Sequence, residues 1–291
     1  MKMKSQGVVI GAELRLQRKG LALRRSDGLS AVASLRHHWP EYVMEVAEAG
    51  CYLFAACVFT TLLQHPGSIV RQIVSDNLVR RALMGLAMGA TATAIVTSSW
   101  GKQSGGHFNP AITFTFYRLG KVEFWDSWFY IMAQFVGAVC GVAIARVALR
   151  GALANQAVRY AVTAPGMYGS TVAFVAESAI SFFLMIIVLF TTNRKRLAPY
   201  TAYFVGVLLA VYYTFEGPLS GMSTNPARTF GSALYANYWH ALWIYFIAPS
   251  TGMLAAGELF LRVRRGAAPY CAKLHHANRK PCIFHHANPK G

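Results

Sequence analysis

Apolar positions along this chain do not alternate with polar ones. They gather into blocks near 42–63, 79–100, 126–148, 170–192, 198–216 and 238–261. A bilayer core about 30 Å thick needs about 20 mostly apolar residues per helix, so the pattern predicts six transmembrane helices. Gly, Ala, Ser and Thr recur within the blocks, which lets helix backbones approach closely inside lipid and predicts a packed bundle. Two shorter stretches, 109–119 and 225–235, each open on Asn-Pro-Ala: Asn109-Pro110-Ala111 and Asn225-Pro226-Ala227. Asn suits a helix N-cap and Pro the first helical position, and neither stretch can span a bilayer. They are read as half-helices that fold back into the bundle.

The two tripeptides belong to a longer repeat. Each follows a loop containing Gly and Ser, and Tyr130-x-x-Ala133-x-x-x-Gly137 returns as Tyr245-x-x-Ala248-x-x-x-Gly252. Each unit holds three spans, an odd number, so the second enters the membrane upside down relative to the first. The half-helices then approach from opposite faces with their positive N-terminal ends toward the midplane, a point hostile to cations. Non-helical backbone at membrane depth needs protein or a water-filled cavity to satisfy it, so two such loops meeting imply a pore.

Composition supports this picture: 55% of residues are hydrophobic, only 13% are charged, and the mean hydropathy is +0.35. The net charge of +17 would suggest nucleic acid in a soluble protein, but here position decides. Of 28 Lys and Arg, 21 lie in the N-terminal arm, between spans two and three, at Arg194-Lys195-Arg196, or in the tail from Arg262. The positive-inside bias therefore predicts cytoplasmic termini and needs no nucleic-acid partner; Arg80 and Arg81 fit it least. Residues 1–40 read as a basic cytoplasmic extension, 41–262 as the channel domain with repeats at 41–150 and 170–262, and 263–291 as a basic cytoplasmic tail.

The runs Ser104-Gly-Gly-His107-Phe-Asn109-Pro-Ala111 and Ser220-Gly-Met-Ser-Thr-Asn225-Pro-Ala-Arg228, with Glu48, Glu177 and Gln134, resemble the aquaporins, or major intrinsic proteins, over residues 40–262. The resemblance implies an all-α membrane protein of six helices plus two re-entrant half-helices, one pore per subunit, a homotetramer, and passive conduction of water or small neutral solutes. It implies no enzyme activity and no cofactor. It also places Arg228 at the pore's constriction, where a fixed guanidinium donates hydrogen bonds and repels cations. Counting back from the tripeptides, the other constriction positions fall on Gly89, Tyr213 and Met222. Water-selective members usually carry an aromatic residue, a histidine and a small residue there, so this set departs at all three. Thr229, Ala233 and Tyr245-Phe246 nevertheless resemble the water-conducting subgroup more than glycerol facilitators. Water is the expected solute, and glycerol, urea, hydrogen peroxide, ammonia or an uncharged metalloid acid the alternative; a secondary transporter and a non-conducting scaffold rank below.

Glu48 and Glu177 are ionisable groups at membrane depth, one per repeat, and are read as acceptors for the re-entrant loops' backbone N–H groups rather than as a proton relay. His107 reads as a loop brace or pore liner. Five cysteines, three in apolar spans, suggest no disulfide framework. The tail repeats His-His-Ala-Asn at 275–278 and 285–288 behind Cys271 and Cys282. Such a tail could bind a soft metal, but from spacing alone it reads as solvated and no metal is assigned. A plasma or bacterial inner membrane is the expected location.

Overall fold

The computed structural model describes residues 29–276 and 278–286. Positions 1–28 of the expected N-terminal arm and 287–291 of the tail lie outside the described residues. Every regular element among those described is helical: α1 (Ala31–Gln64), α2 (Asn77–Thr97), α3 (Pro110–Arg118), α4 (Phe124–Leu149), α5 (Gly169–Thr192), α6 (Thr201–Val211), α7 (Pro226–Ala236) and α8 (Leu242–Val263), with short turns between them. α6 continues through a π-helical stretch at Tyr212–Glu216 into a last turn at Gly217–Ser220, so the span runs over Ala198–Ser220. Six helices are long and apolar enough to cross a membrane, at the places the hydropathy pattern indicates.

The first span differs at its start. α1 begins at Ala31, well ahead of residue 42: the Ser30 hydroxyl caps it by accepting from the Ala33 N–H at 3.3 Å, and the helix runs on through Pro40 although proline leaves one intrahelical bond unmade. The boundary expected at residue 40 therefore falls inside a helix. His38 and Tyr42 on this early part of α1 reach Asp126 on α4 at 2.8 and 2.6 Å, so it is packed rather than solvated.

The repeat governs the packing. α1 packs extensively against α4, and α5 in the same way against α8. Glycine permits both approaches: a Cβ on Gly137 would collide with the carbonyl of Val46, and one on Gly252 with that of Ser178. The half-helices α3 and α7 sit inside the resulting bundle, and Arg118 at the end of α3 pairs with Glu258 of α8 at 2.7 Å. The two arginines that fit the charge count least are held locally. Arg80 donates to the carbonyls of Val74 and Ser75 and to the Asn77 side chain, and Arg81 donates to the Thr214 carbonyl at 2.9 Å.

Candidate functional site

The two Asn-Pro-Ala turns cap their half-helices in the same way. Asn109 Oδ1 accepts from the Ala111 N–H at 3.0 Å, and Asn225 Oδ1 accepts from Ala227 and Arg228 at 3.0 and 3.2 Å. With the amide oxygens committed to the caps, the nitrogens turn toward the opposite loop. Asn109 Nδ2 donates to the Thr224 carbonyl and Asn225 Nδ2 to the Phe108 carbonyl, both at 2.8 Å. The repeats are thus cross-braced where they meet. An amide nitrogen carries two hydrogens, so each Asn keeps one N–H beyond its brace.

Ahead of each turn lies a buried hydroxyl with the same three partners. Ser104 Oγ accepts from the Gly106 N–H and donates to Glu48, while Tyr130 donates to the Ser104 carbonyl. Ser220 Oγ accepts from Met222 N–H and donates to Glu177, while Tyr245 donates to the Ser220 carbonyl. The glutamates then diverge. Glu177 receives the backbone N–H groups of Ser223 and Thr224 at 2.6 and 2.8 Å, as the repeat predicts. In the first repeat that part falls to Glu45, one helical turn before Glu48. Glu45 receives the N–H groups of His107 at 3.0 Å and Phe108 at 2.7 Å, and the Gln134 amide at 2.6 Å. Glu48 holds only the Ser104 hydroxyl, and its second oxygen has no hydrogen-bond partner. The assignment of the first loop's backbone to Glu48 is therefore corrected to Glu45. Spacing of i, i+3 puts both carboxylates on one helix face, and only depth along α1 separates them.

His107 is fully buried between the rings of Phe116 and Phe284, with centroids 5.3 and 5.4 Å away. Its Nε2 lies 2.8 Å from the Ala272 carbonyl, which can only accept, so Nε2 carries the proton and Nδ1 accepts from the Thr113 hydroxyl at 3.0 Å.

Arg228 is buried, and its Nε and Nη1 have no acceptor from the protein. Buried guanidinium donors are ordinarily paired, so these are available to whatever occupies the space beside them. Met222 is fully buried on the loop that leads into α7, whose first turn carries Arg228. Tyr213, on the π-helical stretch, is buried with its hydroxyl unpartnered. Gly89 does not belong with them. A Cβ there would collide with the carbonyl of Gly206 on α6, so its open side faces a helix crossing rather than a bore. Its neighbour Met88 is the fully buried side chain on this part of α2. Thr229 meets Thr163 at 2.7 Å and Ser223 at 2.6 Å, which makes it part of the second loop's scaffolding.

The tail contradicts the solvated reading. Cys271, Ala272, Leu274 and Phe284 are buried, and the last three meet the first re-entrant loop at Gly105 and His107. The Leu274 N–H donates to the Gly105 carbonyl at 3.0 Å, and His285 N–H to the Lys121 carbonyl at 3.1 Å. On the other side the Tyr270 N–H reaches Asn193 Oδ1 at 2.7 Å and His276 reaches the Thr192 carbonyl at 2.5 Å. The tail thus crosses this face of the bundle from the end of α5 to the turn after α3. Sequence pattern could not show this, because the contacts are mostly backbone and aromatic.

The family model described as "Major intrinsic protein" matches residues 33–260. Aquaporin NIP2-3 of Zea mays is 29% identical over 226 residues, 77% of this chain and 73% of that protein. The glycerol uptake facilitator protein-like 6 of Lactiplantibacillus plantarum is 35% identical over 176 residues, 60% of this chain and 81% of the relative. The X-ray structure of the aquaglyceroporin from Plasmodium falciparum superposes with a TM-score of 0.64 at 18% identity, covering 77% of this chain and 96% of that one, so the fold is shared.

Proposed function

The chain belongs to the major intrinsic protein family of membrane channels, and from that premise we propose that it conducts water passively and excludes protons and ions. The observation that carries this reading is the pair of cross-braced asparagines, Asn109 and Asn225, each keeping one N–H beyond its brace. A water oxygen that accepts from both turns its hydrogens outward, which interrupts the hydrogen-bonded wire a proton would need. The N-termini of α3 and α7 add a positive potential at the same place. Arg228, with buried N–H groups left unpaired by the protein, serves as the second donor set and the cation barrier. Tyr213 and Met222 supply bulk beside it, and Met88 replaces Gly89 as the residue proposed for span two.

Buried carboxylates bonded to loop amides suit a scaffold, so Glu45 and Glu177 act as braces rather than as a coupling-ion site. The basic residues argue for cytoplasmic termini. We further propose a homotetramer in a plasma or bacterial inner membrane. A second reading, conduction of glycerol or another small neutral solute, is favoured by relatives named both aquaporin and glycerol uptake facilitator.

Stopped-flow light scattering on proteoliposomes separates these readings, with Asn225→Asp as the comparison because it sets an acceptor against the Phe108 carbonyl. Fast shrinkage under an impermeant osmolyte without rapid reswelling in glycerol is the expected result. Rapid reswelling selects the broader facilitator, and shrinkage no faster than that of empty vesicles overturns both.

A further inference from the structure

The two ends of the packed tail return to one point. Among the described residues, Cys271, Cys282 and His286 form the one group of metal-ligating side chains whose donor atoms all lie within 4.8 Å of one another. The Sγ atoms of Cys271 and Cys282 stand 3.7 Å apart. Two thiolates bound to a tetrahedral zinc at about 2.3 Å have their sulfurs about 3.8 Å apart, so the spacing found is the one such an ion requires. A sulfur and an imidazole nitrogen on the same ion stand about 3.6 Å apart, and His286, which is exposed, closes the remaining distance of about 1 Å by side-chain rotation.

The surroundings also suit a cation held by sulfur. The Lys273 N–H donates to Cys271 Sγ at 3.4 Å, the kind of backbone bond that stabilises a bound thiolate. The Lys273 ammonium is buried and donates to the carbonyls of Lys280 at 3.4 Å and Pro281 at 2.5 Å, which closes the loop between the two cysteines. Cys271 is buried and Cys282 partly so, which leaves the exposed His286 side as the route by which an ion arrives.

From this geometry we propose that Cys271, Cys282 and His286 form a binding site for a thiophilic divalent cation of the zinc class, with water in the fourth position. The ion cross-links the segment that carries the Ala272 contact to His107 with the segment that carries Phe284 on the same imidazole. It thereby fastens the tail across the first re-entrant loop. This site is independent of which solute the channel carries.

The test is a Co2+ titration of the full-length, detergent-solubilised protein kept in a non-thiol reductant. The expected result is one Co2+ per chain with thiolate-to-metal charge-transfer absorption, displaced by Zn2+. Cys271→Ser and Cys282→Ser each weaken binding by about 100-fold or more, and His286→Ala by about tenfold or more, since losing even a supporting partner costs about 10- to 100-fold. Cys51→Ser and Cys140→Ser, in α1 and α4 and outside this group, leave the titration unchanged. In the unaltered protein, Zn2+ protects Cys282, the partly exposed tail cysteine, from maleimide, a readout that needs no variant. Absence of charge-transfer absorption, its survival in Cys271→Ser, or labelling of Cys282 at the same rate with and without Zn2+ overturns the proposal.

Discussion

In Glu45→Ala three donors lose an acceptor at once: the backbone N–H groups of His107 and Phe108 and the Gln134 amide, now 3.0, 2.7 and 2.6 Å from the carboxylate. A buried donor left unpaired costs about 1–3 kcal/mol, so the variant loses about 3–9 kcal/mol. That is a large share of the roughly 5–15 kcal/mol that holds a folded chain together. Glu48→Ala removes one bond, from the Ser104 hydroxyl, which can rotate to another acceptor, and costs about 1 kcal/mol. Glu45→Gln falls between them, because an amide oxygen serves one set of donors and turns its NH2 against the other. Thermal unfolding in detergent ranks the three, and stopped-flow light scattering reports whether the first loop still lines a conducting path. The expected order of loss is Glu45→Ala, Glu45→Gln, then Glu48→Ala, with osmotic permeability abolished in the first. Equal loss in Glu48→Ala, or unaltered permeability in Glu45→Ala, would refute the assignment of the brace.

Three further outcomes are expected. Gly89→Ala drives a methyl into the Gly206 carbonyl and destabilises the bundle by about 1–3 kcal/mol; a changed glycerol-to-water permeability ratio at unchanged unfolding temperature would return Gly89 to the constriction. Arg228→Ala removes a charge that, at about 5 Å and an effective dielectric of about 20, costs a passing cation about 3 kcal/mol. Cation leak measured by ion-sensitive dye then rises about 100-fold, and no rise would place the barrier elsewhere. In metal-free protein the Cys282 thiol is held down to about 5, chiefly by the hydrogen bond from Cys271, whereas that bond and burial push the Cys271 thiol up. Its alkylation by iodoacetamide stays flat from pH ~8 to ~6 and declines as pH falls through about 5; a rate that drops tenfold per pH unit across the upper window would contradict that.

What could be read from the sequence followed how local the cause was. The two Asn-Pro-Ala turns became helix starts at Pro110 and Pro226 because cap and first-turn chemistry act within three residues. Glu177 was legible because α5 carries no second carboxylate, whereas Glu45 and Glu48 share a face of α1 and differ only in depth. Gly89 misleads because a gap-free count cannot see which side of α2 meets Gly206. The start of α1 was missed because polar residues such as His38 and Glu41 hide a helix that is paired through Asp126. The tail was misread because its charge count conceals four buried apolar residues.

The crossed asparagine bonds also impose an order in time. Asn109 leaves the ribosome 115 residues ahead of the Thr224 carbonyl that its amide requires. At about 5–20 residues per second, the first half-helix waits about 6–23 seconds for the backbone that completes it. During that interval Glu45 and Gln134, both made from the first repeat, are the partners already at hand. The first loop thus has Glu45 and Gln134 from its own repeat before its cross-brace exists, while the tail's share of its packing, the Ala272 carbonyl and the Phe284 ring on His107, is made last of all.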